Sequence, residues 1–185
     1  MLLLSVDPGI RGCGHALFED GDLRAAGYSR NPRKKGNDLG AIVSMALEIA
    51  EGFNVGNPDL ALVVEWPQVY REKYWKGDPN DLTPLAGVVS AVAGILRPGI
   101  LHRYLPREWK GTIDPEEISR RVRARMMREE FDRIVLPMNT CASCLDKHSI
   151  SNCLKTSCLA HNVYDAIGIG LKHLGRFEPV KVFPR

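Results

Sequence analysis

Two short apolar runs that each end on a carboxylate constrain this chain more than any other feature. Leu2 to Val6 is apolar apart from Ser5, ends on Asp7 and meets Pro8-Gly9 at once. A run of this length closed by a turn reads as a buried strand, which leaves Asp7 at the strand's end, where a sheet meets solvent. Leu60 to Val64 repeats the pattern, with Asn57-Pro58-Asp59 before it, Glu65 ending it and Pro67 beyond. A buried central strand is the natural reading. Aspartates also favour turns for local hydrogen-bonding reasons, so the case for chemistry rests on what the rest of the chain supplies.

Between these runs, Gly12 to Glu19 alternates loosely and meets Asp20-Gly21, a two-residue hairpin signal. A third strand over Leu23 to Ser29 completes an antiparallel opening. Asp38 then caps a helix whose apolar face is Ile42, Met45, Ala46, Ile49 and Phe53. After Glu65 comes a loop, and Thr83-Pro84 opens a second helix with a Leu85, Val89, Val92, Leu96 stripe. Gly87, Ser90, Ala91 and Gly94 make that helix suited to close packing. A fifth strand is expected over Ile100 to Leu105. A charged helix should run from Asp114-Pro115 to about Arg133, with Ile118, Val122 and Met126 inward, and a last helix from about His161 to Leu174, stopped by Gly175. The order describes an α/β protein: a mixed five-stranded sheet flanked by helices. At 185 residues it fits a single domain, 1–185, with a cysteine-rich insertion at 137–160 before the last helix.

Net charge is only +3, so the distribution of charge matters more than its sum. Arg30, Arg33, Lys34 and Lys35 form one basic cluster, and Arg120, Arg121, Arg123, Arg125 and Arg128 another. Either is a solvated face or a phosphate-contact surface. No run approaches the ~18 apolar residues of a membrane span, and Met1 to Val6 is too short for a signal-peptide core. A cytoplasmic protein without membrane contact is expected.

The last helix adds a third carboxylate, Asp165, with His161 four residues and Asn162 three residues before it. If Asp7, Glu65 and Asp165 converge at one sheet edge, they repel each other unless cations neutralise them. Oxygen ligands of this kind suit Mg²⁺ or Mn²⁺, and a pair of such ions supports phosphodiester hydrolysis. Leu4-Ser5-Val6-Asp7-Pro8-Gly9, then Val63-Val64-Glu65, then His161-Asn162-Val163-Tyr164-Asp165-Ala166-Ile167-Gly168 resembles the RuvC-like Holliday junction resolvases, ribonuclease-H-like nucleases of which the phage-type members look most similar.

The resemblance spans residues 2 to about 175, apart from the cysteine segment. It implies a ribonuclease-H-like fold in which Asp7 bridges two divalent ions and Glu65 and Asp165 complete the catalytic carboxylates. The family places a fourth acidic residue or histidine three residues before the final aspartate. Here that position is Asn162, with His161 one earlier, so both are candidates; imidazole is the better ligand. The resemblance also implies an aromatic wedge after the central glutamate, for which Tyr70 is the nearest match, with Tyr74 and Trp75 behind it. Stacking on exposed bases contributes ~1–3 kcal/mol per base; packing down their own loop is the other role open to these rings. Arg33, Lys34, Lys35, Arg71, Lys73, Arg121 and Arg125 are the candidate DNA-contact cations. The helix after Thr83 matches the family's dimerisation helix, and a two-fold junction asks for a homodimer. The expected activity is structure-selective cleavage of four-way DNA. Action on RNA–DNA hybrid or flap substrates is one alternative, because fold does not fix substrate. A non-catalytic junction-binding module is the other.

Cys141-x2-Cys144 and Cys153-x4-Cys158 give four thiols in one short segment. Such spacing suits a structural tetrahedral zinc site, with His148 able to replace one thiol; a disulfide pair or unligated thiols are the alternatives. His161 lies close enough to Cys158 to serve that site instead. Cys13 is expected in the core.

Overall fold

The computed structural model describes residues 1–32, 38–68, 80, 82–111, 113, 115–145 and 158–178. Five strands form one sheet: β1 (Leu2–Asp7), β2 (Gly12–Glu19), β3 (Asp22–Arg30), β4 (Leu60–Glu65) and β5 (Ile100–Tyr104). The spatial order is β3-β2-β1-β4-β5. β1 pairs antiparallel with β2 and parallel with β4, and β5 extends the parallel half. The expected hairpin turns at Asp20-Gly21, where both residues have positive φ, 53° and 92°. The carboxylate-ended strands are thus neighbours at the middle of a mixed sheet.

Alternation along these strands sorts the core into two layers. Leu4, Val6, Leu60, Leu62 and Val64 face one side and pack with α1 (Leu39–Ala50) and α2 (Leu82–Leu96). Asp38 caps α1 by accepting from the Ala41 amide at 3.0 Å. Leu3, Ala61 and Val63 face the other side, which α6 (Ala160–His173) covers. Asp7 and Glu65 continue this second face, because successive side chains alternate.

Two elements differ from expectation. A short helix, α3 (Pro106–Trp109), follows β5 and was not anticipated. The charged helix is also shorter than its sequence pattern: α4 runs from Pro115 to Arg123, and a separate 3₁₀ segment covers Arg128–Arg133. Distant partners impose that break. Buried Glu130 accepts from the Leu23 amide at 2.9 Å and the Met127 amide at 2.8 Å, and it pairs with Arg176 at 2.8 Å. Ile118 and Val122 are buried as expected, and Met126 packs partly buried against the core. A four-residue helix, α5 (Ala142–Leu145), precedes α6.

Candidate active site at the carboxylate edge

The register aligns Val6 with Val64, so Asp7 and Glu65 occupy the next step on adjacent parallel strands. Their side chains share the face that α6 covers. Asp165 lies in the second turn of α6, which begins at Ala160. Two contacts seat the helix there. Ser5 donates its hydroxyl to the Ala166 carbonyl at 2.7 Å, tying the middle of β1 to the residue after Asp165. Gly14, paired with Asp7 across β1 and β2, lies against the backbone carbonyl of Asn162, where any Cβ would collide. A glycine is therefore required at this crossing.

The cluster is electrostatically tense. Burial pushes the Asp7 carboxyl well above the usual carboxylate range, and the charges of Asp165 and Glu65 push it further. Asp165 is also raised, chiefly by burial, with Lys110 and His161 opposing. Its Oδ1 is buried and has no hydrogen-bond partner among the described residues. Buried oxygens of this kind are costly unless something meets them.

Part of the compensation comes from a residue that the sequence did not single out. The Lys110 ammonium lies 3.0 Å from Glu65 Oε2 and 3.2 Å from Asp165 Oδ2. Burial disfavours its charge, but Asp165, Glu65 and Asp7 outweigh that and hold its pKa above the ordinary lysine value. Lys110 is placed by α3, where fully buried Trp109 donates its indole N–H to Glu65 at 2.6 Å. The same indole packs against Gly168 of α6. The only trace in sequence is a Trp-Lys pair just after the third parallel strand, a weak signal.

The structure brings Asp7, Glu65, Asp165 and Lys110 together, with His161 close enough to influence Asp165. Asn162 serves through its backbone on Gly14, and it is half-buried. Arg121 pairs with Glu117 at 2.7 Å, and Glu117 also holds Arg120. Arg123 is buried over the Tyr164 ring at 5.2 Å, whereas Arg125 is exposed. Tyr70, Arg33, Lys34, Lys35, Arg71, Lys73, Tyr74, Trp75, His148 and Cys153 lie outside the described residues. Cys141, Cys144 and Cys158 are buried, with their sulfurs within 4.8 Å of one another, and among the described residues no carboxylate trio is as tight. His161 is not part of that thiol group. Cys13 is core, as expected.

The donor set suits hard divalent cations. It offers carboxylate oxygens from three elements, an unmet buried oxygen on Asp165, and a lysine ammonium placed between two of the carboxylates. Comparison of the whole chain then gives its relatives in shape. Thermus thermophilus RuvC in complex with a Holliday junction substrate matches with a TM-score of 0.52 at 19% identity, covering 97% of this chain and 99% of that one. The fold is that of the RuvC resolvases. A second Thermus thermophilus RuvC structure (TM-score 0.46, 16% identity, 97% and 100% covered) and the yeast mitochondrial Holliday junction resolvase (0.47, 13%, 94% and 78%) are also similar. No protein-family model and no curated protein matches the chain. No helix among the described residues is long and apolar enough to cross a membrane.

Proposed function

We propose that this protein is a divalent-metal-dependent endonuclease that resolves four-way DNA junctions as a homodimer. The observation that carries the reading is the meeting of Asp7, Glu65 and Asp165 from two adjacent parallel strand ends and one covering helix. Similarity in shape to a resolvase that binds a Holliday junction supports the choice of substrate.

Asp7, Glu65 and Asp165 would hold two Mg²⁺ or Mn²⁺ ions, with His161 favoured over Asn162 as the fourth ligand. When bound, such ions supply charge neutralisation and water activation for phosphodiester hydrolysis. The protein's own part is positioning. Trp109 fixes the Glu65 carboxylate by its indole bond, while Ser5 and Gly14 fix the height of α6 and hence of Asp165. Lys110 holds Glu65 and Asp165 at a set spacing and carries positive charge within the carboxylate cluster.

Tyr70 would wedge into the opened junction, and Arg33, Lys34, Lys35, Arg71, Lys73 and Arg125 would track phosphates. Arg121 contributes less, since Glu117 already occupies it. Dimerisation through α2 is supported by its outward small residues: Ser90 and Gly94 are exposed, and a Cβ added at Gly94 would meet nothing within 4 Å among the described residues.

The deciding experiment compares synthetic junction, flap, linear duplex and RNA–DNA hybrid in Mg²⁺. Paired symmetric nicks in the junction, lost in Asp7→Asn, are expected. Equal cutting of linear duplex would sink structure selectivity, and junction binding without cleavage in either Mg²⁺ or Mn²⁺ would sink the nuclease.

A further inference from the structure

We infer that Cys141, Cys144 and Cys158 are ligands of a structural zinc ion that clasps the start of α6, so that the metal sets where Asp165 stands. The zinc assignment is independent of the nuclease reading; only its bearing on catalysis rests on it.

Three buried thiols converge with all sulfurs within 4.8 Å of one another. Around tetrahedral zinc, with Zn–S near 2.3 Å, neighbouring sulfurs sit about 3.8 Å apart, so closing on an ion asks for only a small contraction. The local backbone already has the required form. Cys144 and Leu145 both return their amides to the Cys141 carbonyl, at 2.9 and 3.0 Å, which turns the Cys-x2-Cys pair back on itself. The Cys141 amide donates to Cys158 Sγ at 3.3 Å. An N–H aimed at sulfur orients it as a ligand, as hydrogen bonds around metal sites do. Thiolates select zinc over the hard cations of the carboxylate edge. The sequence supplies Cys153 and His148 for the fourth position, both outside the described residues.

The function of the clasp follows from what it joins. α6 begins on Leu159, which has no side chain able to cap the helix and makes no capping bond. This helix does without the stabilising N-cap that a Ser, Asp or Asn would provide. In its place the Leu159 amide bonds the Asn139 carbonyl at 3.1 Å, beside the thiols. The segment leading into the cysteines is itself fixed to the sheet, because Ile134 bridges Ala26 of β3 and the Val135 amide donates to the Ala26 carbonyl at 2.8 Å. A metal joining Cys141 and Cys144 to Cys158 therefore ties the helix start to the sheet through covalent chain and coordination bonds. Asp165 lies within the next two turns.

Zinc content and hydrogen exchange test both halves on the full-length protein, purified reduced. One zinc per chain is expected, and Co²⁺ exchanged in its place should show the charge-transfer and d–d bands of tetrahedral thiolate coordination. Cys144→Ser should lose stoichiometric metal, and Cys13→Ser should keep it. If Cys144→Ser does not fold, the wild-type cobalt spectrum decides alone. Absence of bound metal, or a mass showing a disulfide between two of the three cysteines, overturns the site. Stripping zinc from wild type should speed amide exchange across residues 160–165 and leave β1 unchanged. Unaltered protection there overturns the positioning role even if zinc binds.

Discussion

At the level of single residues, the carboxylate edge is built for charge it does not itself carry. Asp7 is held above the usual carboxylate range by burial and by its neighbours, so its ionised form weakens the metal-free fold. Asp7→Asn is therefore expected to abolish cleavage and at the same time raise the melting temperature measured without metal. Each kcal/mol relieved corresponds to about 2–4 °C in a chain of this size. A fall in melting temperature would mean that the carboxylate is satisfied after all. Lys110→Met should act in the opposite direction, because it strands Glu65 and Asp165 without their ammonium. Breaking one partner of a largely buried pair costs ~3 kcal/mol, readable by denaturant titration. The same change removes the charge that holds the Asp165 and Asp7 carboxyls down, so the acid limb of the pH–rate profile should move to higher pH. An unmoved limb would remove Lys110 from the site's electrostatics. Asp7 and Glu65 were legible in the sequence because a strand ended by a carboxylate is a local pattern, whereas Asp165 was read from the motif of the last helix. Lys110 was not, since only the fold carries a lysine after an edge strand back to the centre.

Secondary elements were legible where local pattern and tertiary role agree. β1, β2, β4 and α6 appear within a residue or two of expectation, each being a buried run or an amphipathic face with its own stop signal, whereas α1 ends at Ala50, short of Phe53 on its expected face. The long charged helix failed for a physical reason. Its helical pattern persists beyond Arg123, but Glu130 finds better partners in Leu23, Met127 and Arg176 than another helical turn offers. Long-range hydrogen bonds to a buried carboxylate leave no local trace. The crossing of α6 over β2 makes a sharper prediction. Gly14→Ala should push the Asn162 carbonyl, and with it α6, away from the strand. Overpacking of this kind costs ~1–3 kcal/mol, but cleavage should fall much further than stability, because Asp165 shifts relative to Asp7. Proportionate losses in the two assays would show Gly14 to be a packing residue only.

For the whole molecule, the site should govern how stability depends on pH. Asp7 and Asp165 have raised pKa values in the folded state, so the native protein holds protons that the unfolded chain has released. Metal-free stability is therefore expected to decline as pH rises from about 4, the ordinary carboxylate value, through the raised values. Lys110, also raised, contributes support that is constant across this range and is lost only above the ordinary lysine pKa near 10.4. Mg²⁺ meets the ionised carboxylates, so the gain in melting temperature on adding it should be small at pH 4 and grow toward pH 8. A gain independent of pH would place the ion elsewhere. The sheet order has a further consequence for how the protein comes into being. The strands that carry Asp7 and Glu65 both precede the helix bearing Asp165, which is made after five strands and the cysteine segment are complete. Ser5 waits for a partner 161 positions away. A nascent chain that stops short of α6 thus holds two of the three carboxylates, and the site can assemble only once that helix has been made.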